Sequence, residues 1–400
     1  MWREWEAHQR NESEFFETAL ERVKNSSAWQ KQADFLLDPL KKTRNFKDLF
    51  VCPQTPDYCS DGTTVFGHLN LMLRVLFATV GNDFHLGDIE EFRRLKGFGG
   101  ELDEVEETLK EKIASLEVFA LCHDLGKLET IRFEARENSA GASLGFRDDL
   151  SHAWQKGRED RKSLTERYNK EYKKFATSMV GALEQEIQDA FFSAYQISIF
   201  YPGYTHQIAR PELREVFNKE SKKRRLTMED AEDVFHAILL HEKIIHDFSV
   251  SPNFSTYNHL IAYSIKYGRD PDDFLDFLLA AIFLEIASRP RRGVRGTFFD
   301  LTPFINFLIT EHESVPGKRN ERARLRRERQ LKAERAALRA AGLDGNDLMK
   351  ILGMKPCPEF GQVLAAIHAW AKNETPMPNV PIRARDELTK RVQKFRSQNP

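Results

Sequence analysis

Cysteine is scarce in this chain. Four cysteines, Cys52, Cys59, Cys122 and Cys357, are present among 400 residues. No two of them form a CxxC pair, so the ligand spacing of a structural zinc knuckle is missing, and so is the density of a disulfide scaffold. Stability must therefore come from a packed core, for which an apolar content of 41% is sufficient.

Long hydrophobic runs are missing as well. The first residues, MWREWEAHQRNE, contain no apolar signal core. The longest apolar run, Phe277 to Leu284, is much shorter than the roughly 20 residues that cross a bilayer. We therefore expect a cytoplasmic protein without a membrane partner.

Neither sign of charge is in excess, because 60 Lys and Arg residues face 61 Asp and Glu residues. Any affinity for nucleic acid must then come from a local patch. One segment, Lys318 to Arg339, holds ten basic and three acidic residues. It is either a solvated helix that joins two domains or a helix that follows a phosphate backbone. In the second case the candidate RNA contacts are Arg322, Arg324, Arg326, Arg327, Arg329 and Lys332.

Strand-like alternation of useful length and internal repeats are also absent. Apolar residues recur instead at three- and four-residue spacing, which predicts an all-α fold. We expect four parts: an N-terminal helical segment at 1–52, a main domain at 53–310, a basic connecting helix at 311–342 and a small helical module at 343–400. The main domain contains a polar insertion at about 131–200 without a chemical signature, which favours a solvated helical hairpin or lid.

One stretch, Leu116 to Thr130, reads LEVFALCHDLGKLET. Its apolar run brings His123 and Asp124 to the point where Gly126 ends a helix. The two side chains project about 100° apart on a helix, yet both reach a metal ion that lies near the helix end. An imidazole and a carboxylate suit Mn, Fe, Ni, Zn or Mg. The alternative is a buried helix end with two incidental polar residues.

Further histidines lie on other predicted helices. His68 lies on an apolar face, where it is either a ligand or a core histidine, and His206 follows a Pro-Gly turn. His236, His241 and His246 are five residues apart on one helix, and five steps rotate a helix by about 140°. At most two of these three histidines therefore face one site.

The order and spread of these residues resemble the HD-domain superfamily of metal-dependent phosphohydrolases. A narrower resemblance is to the HD and C-terminal regions of the tRNA nucleotidyltransferase/poly(A) polymerase family. It covers about 54–76, 117–130, 201–248 and 343–364, and the segments that carry it are PQTPDYCSDGTTVFGHLNLML, FALCHDLGKLET, HEKIIHDF and DGNDLMKILGMKPCPEFGQVL.

The chain departs from that family at three points. The nucleotidyltransferase head, with its Gly-rich loop and paired carboxylates, has no counterpart before His68, so CCA addition by this chain alone is not expected and a separate nucleotidyltransferase becomes a conceivable partner. Cys59 stands where the family has a histidine. The late aspartate aligns with Ala287, and Glu285, two residues away, is expected to point elsewhere on its helix. The site would then be incomplete, mononuclear or completed by a residue such as Asp247.

The resemblance implies a divalent-metal-dependent phosphohydrolase or phosphodiesterase. Its substrates would be RNA ends, such as a 2′,3′-cyclic phosphate of a tRNA-like RNA, or nucleotides. The implied ligands are His68, His123, Asp124 and one or both of His241 and His246, whereas His236 faces away. Asp124 would belong to the catalytic centre, and Lys127 would contact the substrate phosphate. His206 would be either a second-metal ligand or a general acid.

Two alternatives remain open. The HD fold could serve as a non-catalytic module that binds RNA or a tRNA-processing partner, which the missing late aspartate favours. The chain could also be a phosphohydrolase of small nucleotides in which the C-terminal module is idle.

Overall fold

The computed structural model describes residues 20, 22–43, 46–54, 62–83, 85–89, 92, 97–146, 158–182, 184–293, 296–314, 335–372 and 375–398. Helix accounts for 73% of the structure and strand for 4%, which confirms the all-α class. Within the described residues no helix is long and apolar enough to cross a membrane. The chain divides into two compact units, Met1–Pro316 and Gly317–Pro400.

The first unit contains thirteen labelled helices and four short strands among the described residues. In chain order the helices are α1 Ser27–Leu37, α2 Val65–Val80, α3 Gly99–Glu111, α4 Ile113–Cys122, α5 Lys127–Thr130, α6 Ala140–Ser143, α7 Arg158–Ser178, α8 Glu184–Tyr195, α9 Pro211–Lys223, α10 Met228–Asp247, α11 Phe254–Lys266, α12 Pro271–Ala287 and α13 Thr302–Ser314. Short 3-10 helices lie at Asp38–Lys42, Lys47–Phe50, Leu86–Asp88 and Tyr204–Ala209.

Helix α12 lies at the centre of this unit. Every residue from Phe274 to Ala287 is buried, as expected for a helix that is apolar on all sides. Asp270 caps it by accepting hydrogen bonds from the backbone N–H groups of Asp272 and Asp273, and Pro271 occupies the first helical position, where proline is favoured. Helices α2 and α10 pack against α12 and against α4, so four helices surround one buried point.

The predicted N-terminal segment is not separate from this unit. Helix α1 packs against α2, and its buried Ala33 and Leu37 join the same hydrophobic core. The serine at its start, Ser26, accepts a hydrogen bond from the backbone N–H of Trp29.

The strands were missed in the sequence because each is only four residues long. Strand β1, Arg132–Ala135, pairs antiparallel with β2, Ile197–Phe200, and β3, Pro290–Gly293, pairs antiparallel with β4, Gly296–Phe299. The β1–β2 pair closes the base of the insertion. Four residues show at most two alternations, which is too few to separate a strand from a loop by period.

The insertion is helical, as predicted, and builds an aromatic cluster of its own. Tyr168 on α7 packs against Phe133 on β1 and against Phe191 on α8. Phe191 stacks on Tyr195 with ring centroids 4.4 Å apart. These rings belong to the same hydrophobic core as the helices of the first unit, so the described part of the insertion is more than a solvated hairpin.

The second unit is a small helical module. Its labelled helices are α14 Gly345–Leu352, α15 Pro358–Ala371 and α16 Ile382–Gln398. They enclose a separate apolar cluster that includes Leu343, Leu348, Ile367 and Leu388. The predicted RNA contacts, Arg322 to Lys332, lie outside the described residues.

Candidate metal centre

Three side chains from three of the central helices converge on one point. The Nε2 atoms of His68 on α2 and His123 after α4 are 3.3 Å apart. The Oε2 atom of Glu285 on α12 lies 3.3 Å from the first and 3.1 Å from the second. All three side chains are at most 1% exposed. Among the described residues, these three form the group whose ligand atoms are close enough to share one metal ion.

Backbone carbonyls orient the two imidazoles. The Nδ1 atom of His68 lies 3.0 Å from the carbonyl oxygen of Ser288, and that of His123 lies 3.0 Å from the carbonyl oxygen of Ala120. A carbonyl oxygen only accepts, so in each ring Nδ1–H donates the hydrogen bond. The two rings therefore direct their Nε2 atoms at each other, as metal-bound histidines do. Burial opposes the charged form of His123, but Asp124 and Glu285 raise its pKa to about 10, so a metal ion would bind at this nitrogen in exchange for a proton.

The spacing of these atoms fits a metal ion. Ligands held about 2.0–2.1 Å from a tetrahedral metal are about 3.3 Å from each other. The observed separations of 3.1 to 3.3 Å agree with that value. Two facing ring nitrogens beside a carboxylate need a positive charge between them, which either a proton on His123 or a metal ion supplies. The donor set and the spacing therefore fit a divalent ion of the imidazole-and-carboxylate class.

Asp124 lies at the edge of this cluster and is fully buried. Its Oδ1 atom is 3.4 Å from the Nε2 atom of His123, and its Oδ2 atom is 2.7 Å from the Nζ atom of Lys127. Burial alone would raise the pKa of this carboxyl, but the charges of His123 and Lys127 hold it well below its usual range. The charged form of Asp124 is therefore favoured, and it faces both the imidazole of His123 and the ammonium group of Lys127.

Lys127 is buried between that carboxylate and two aromatic rings. Its Nζ atom lies 5.1 Å from the ring centre of Tyr201 and 5.2 Å from that of Tyr204. Burial opposes the charged form, yet Asp124 raises the pKa of Lys127 above its usual value. The ammonium group is thus held in place inside the protein.

A second fixed cation lies on the opposite side of Glu285. Arg289 follows the end of α12 and pairs with the Oε1 atom of Glu285. Burial would raise the pKa of this carboxyl, but Arg289 and the imidazoles of His123 and His68 hold it well below its usual range. The two oxygens of Glu285 therefore have different partners. Oε1 pairs with the guanidinium of Arg289, and Oε2 faces the two imidazoles.

His241 on α10 completes the buried group in a different way. Its Nδ1–H donates to the carbonyl oxygen of Ile238 at 2.8 Å, so its Nε2 accepts from the hydroxyl of Tyr204 at 2.9 Å. Burial lowers the pKa of His241 to about 3, so this ring is neutral. Its ring centre is 5.5 Å from that of His123. His241 is next to the cluster, as predicted, but its ligand atom is bonded to a tyrosine.

The structure does not bring His206 and His246 into the cluster, because both side chains are exposed. After the left-handed Gly203, the 3-10 helix turns Tyr204 inwards, and His206 two residues later points outwards. His246 lies about 140° around α10 from His241. His236 also lies outside the site, as predicted, and its Nδ1 bonds the Tyr263 hydroxyl at 2.7 Å.

The expectation for Glu285 was wrong. It was placed on another face because it lies two residues from the aligned position, Ala287, yet it is the carboxylate of the cluster. The sequence held a signal for it, since Glu285 is the one charged residue between Phe277 and Ala287, and a carboxylate in such a run is buried only when it is paired. Asp247 instead bonds the Thr256 hydroxyl, and Cys59 lies outside the described residues.

Tyr204 and Arg289 are further residues of the site that the sequence reasoning missed. Tyr204 lies on a turn that is held by close packing against Gly126. A Cβ atom at Gly126 would lie 2.1 Å from the carbonyl oxygen of Tyr204 and 2.8 Å from the Cβ atom of Gln207. Gly126, which follows the His-Asp motif, therefore leaves room for the turn that carries Tyr204 to pack against it.

This packing gives a stability prediction. We expect Gly126→Ala to lower the free energy of unfolding by about 1–3 kcal/mol, because backbone must move to admit the methyl group. Urea unfolding monitored by circular dichroism measures the loss. Gly99→Ala is the matched control, since a Cβ atom there meets no heavy atom within 4 Å. Equal stability of Gly126→Ala and the wild type would contradict the packing described.

Comparison with known proteins found no match. No family model matches the chain, and no curated protein or solved structure does. The chemical interpretation of the cluster therefore depends on its own geometry and on the motifs of the sequence.

Proposed function

We propose that this chain is a divalent-metal-dependent phosphohydrolase or phosphodiesterase that acts on RNA ends or nucleotides. The observation that supports it is the convergence of His68, His123 and Glu285, with both Nε2 atoms directed at one point. Their separations and locked tautomers fit one metal ion, and Asp124 borders the same point. The resemblance of the His-Asp motif to HD-domain phosphohydrolases supplies the reaction class.

When bound, a divalent ion supplies Lewis acidity, which lowers the pKa of a water molecule and offsets charge on a phosphoryl oxygen. The chain supplies the remaining electrostatics. Lys127 and Arg289 are cations held beside the carboxylates Asp124 and Glu285, so their positions need no reorganisation when negative charge develops nearby.

The balance of charge favours an anionic substrate. With both imidazoles deprotonated, as metal binding requires, the two carboxylates Asp124 and Glu285 are matched by the two cations Lys127 and Arg289, so the side chains add no net charge to that of the ion. A divalent ion adds two positive charges at a point where the ligands are at most 1% exposed. Unpaired charge is costly in such surroundings, and a phosphoryl dianion would balance it.

Tyr201 contacts Lys127 on one side and lines a surface cavity on the other. Its hydroxyl donates to the carbonyl oxygen of Pro53, and its ring covers Lys127. A cavity of about 430 Å³ lies over Tyr201 and is also lined by Arg132, Phe200 and Glu242. The volume is within the range of small-ligand sites, and we infer that substrate approaches the cluster from this side.

Metal analysis combined with a hydrolysis screen tests the proposal. The purified full chain is expected to hold a divalent ion and to hydrolyse at least one of a 2′,3′-cyclic nucleotide, a nucleoside monophosphate and an RNA with a cyclic-phosphate end. Chelation should abolish the activity, and re-addition of the metal should restore it. A chain that holds metal but hydrolyses none of these substrates would contradict the enzymatic proposal.

The enclosure of the cluster favours one further candidate. Structural metal sites are closed, and here the three side chains that could share an ion are at most 1% exposed. The chain would then be a metal-stabilised scaffold that binds RNA or a processing partner. In that case chelation lowers the melting temperature, and no phosphate ester is hydrolysed with or without metal.

The proposed RNA contacts of the basic segment give a separate prediction. We expect charge reversal at Arg324, Arg326, Arg327 and Arg329 to flatten the salt dependence of tRNA binding. Each phosphate that the variant no longer neutralises removes about 0.7 to 0.9 from the slope of log affinity against log salt concentration. Hydrolysis of a small phosphodiester serves as the control and should be unchanged. An unaltered slope would favour a solvated connecting helix.

A further inference from the structure

The hydroxyl of Tyr204 is hydrogen-bonded to Nε2 of His241, the ring nitrogen that could otherwise bind a metal ion. The two side chains are fully enclosed, and the hydroxyl lies 2.9 Å from the Nε2 atom. The other ring nitrogen already donates to the Ile238 carbonyl, so Nε2 is the only position at which His241 could bind a metal. A cation can use this imidazole only if the phenol leaves.

Lys127 forms an ion pair with the second oxygen of Asp124, so this oxygen is also already bonded. A carboxylate that bridges two metal ions uses one oxygen for each ion. Here Oδ1 faces His123, and Oδ2 accepts the ammonium group of Lys127 at 2.7 Å. The place of a second ion is thus taken by a side-chain cation, which the rings of Tyr201 and Tyr204 cover.

The charge of the enclosed group also disfavours a second metal ion. Asp124 and Glu285 are already balanced by Lys127 and Arg289, so one divalent ion brings the group to a charge of plus two. A second divalent ion would bring it to plus four around ligands that are at most 1% exposed. The two remaining predicted histidines, His206 and His246, are exposed and contribute no ligand to this interior.

We propose that the site holds a single metal ion and that Tyr204 is the positioning residue that excludes a second one. The proposal rests on the proposed function, since it concerns the same centre, and it specifies the nuclearity of that centre. Tyr204 acts by filling the space in front of His241 and by satisfying its lone pair. Lys127 replaces the second ion as the cation on Asp124.

Manganese binding to the full chain tests this. Equilibrium dialysis against Mn²⁺, with metal counted by atomic absorption, is expected to give one ion per wild-type chain. Its electron paramagnetic resonance spectrum should be that of an isolated ion. Tyr204→Phe should also bind one ion, because the ring still fills the space. Tyr204→Ala should bind two, and Tyr204→Ala/His241→Ala should return to one, because the second ion loses its imidazole.

The outcomes separate this proposal from the proposed function. Two ions or an exchange-coupled spectrum in the wild type would overturn the exclusion by Tyr204 and leave the phosphohydrolase proposal intact. A folded Tyr204→Ala chain that still binds one ion would do the same. A wild-type chain that binds no ion would overturn both proposals. If Tyr204→Ala does not fold, the wild-type stoichiometry and spectrum decide.

Discussion

Replacing His123 by alanine is expected to abolish metal retention and all metal-dependent hydrolysis. The substitution removes the imidazole whose Nε2 lies 3.3 Å from Nε2 of His68 and 3.1 Å from Oε2 of Glu285. Only two of the three metal-ligand atoms of the cluster then remain. The metal content of the dialysed protein measures the effect. Asp124→Asn should weaken retention, since it removes the buried charge next to the same imidazole.

The matched control for this prediction is His246→Ala. It removes a histidine from the same sequence motif as His241, but its side chain is exposed and outside the cluster. We expect wild-type metal content and activity in this variant. Stoichiometric metal in folded His123→Ala would refute the assignment of the centre, and loss of metal in His246→Ala would show that α10 has a different register.

Replacing Arg224 by methionine is expected to lower the free energy of unfolding by about 3–5 kcal/mol, because two carboxylates lose their counter-charge. The guanidinium bonds Glu117 on α4 at 2.8 Å and Glu220 on α9 at 2.6 Å, and its side chain is only 9% exposed. Burial opposes the charged form of Arg224, but the two glutamates raise its pKa. The ion triplet thus joins the helix of the His-Asp motif to α9.

Urea unfolding of three variants tests this interpretation. Arg225→Met is the neighbouring control, and because its side chain is exposed we expect a change within about 0.5 kcal/mol. In the double variant Glu220→Gln/Arg224→Met the loss should be smaller than in Arg224→Met, since one unpaired charge is gone. Equal stability of Arg224→Met and Arg225→Met would contradict the proposed importance of the triplet.

Local features of the chain were accessible from the sequence. The helix of the His-Asp motif ends at Cys122, where its apolar run ends, whereas Gly126, which was expected to end it, instead precedes α5. Asp270 and Thr227, residue types typical of helix starts, cap α12 and α10. Each of these depends on a few neighbouring residues, on their hydrogen bonds and on a helical period. The inward orientation of His68 followed from the apolar face that carries it.

Features that depend on several distant elements were not accessible. His206 and Tyr204 are two residues apart, and only the packing of their turn against Gly126 decides which one faces inwards. Glu285 reaches the cluster because α12 is surrounded on all sides, so that residues on every face of the helix have a buried neighbour. Alignment by motif alone could not show this, and it assigned the position of the carboxylate to Ala287, two residues after Glu285.

The β1–β2 pair at the base of the insertion fixes the distance between the two points where the insertion leaves and rejoins the main domain. Ala135 lies opposite Ile197, so residues 136–196 form a loop whose ends are already joined. The entropy of closing such a loop grows only with the logarithm of its length, by about 0.6 kcal/mol per doubling. A change in the length of the segment beyond the pair would therefore alter the loop-closure entropy only slightly, because the pair already fixes its two ends.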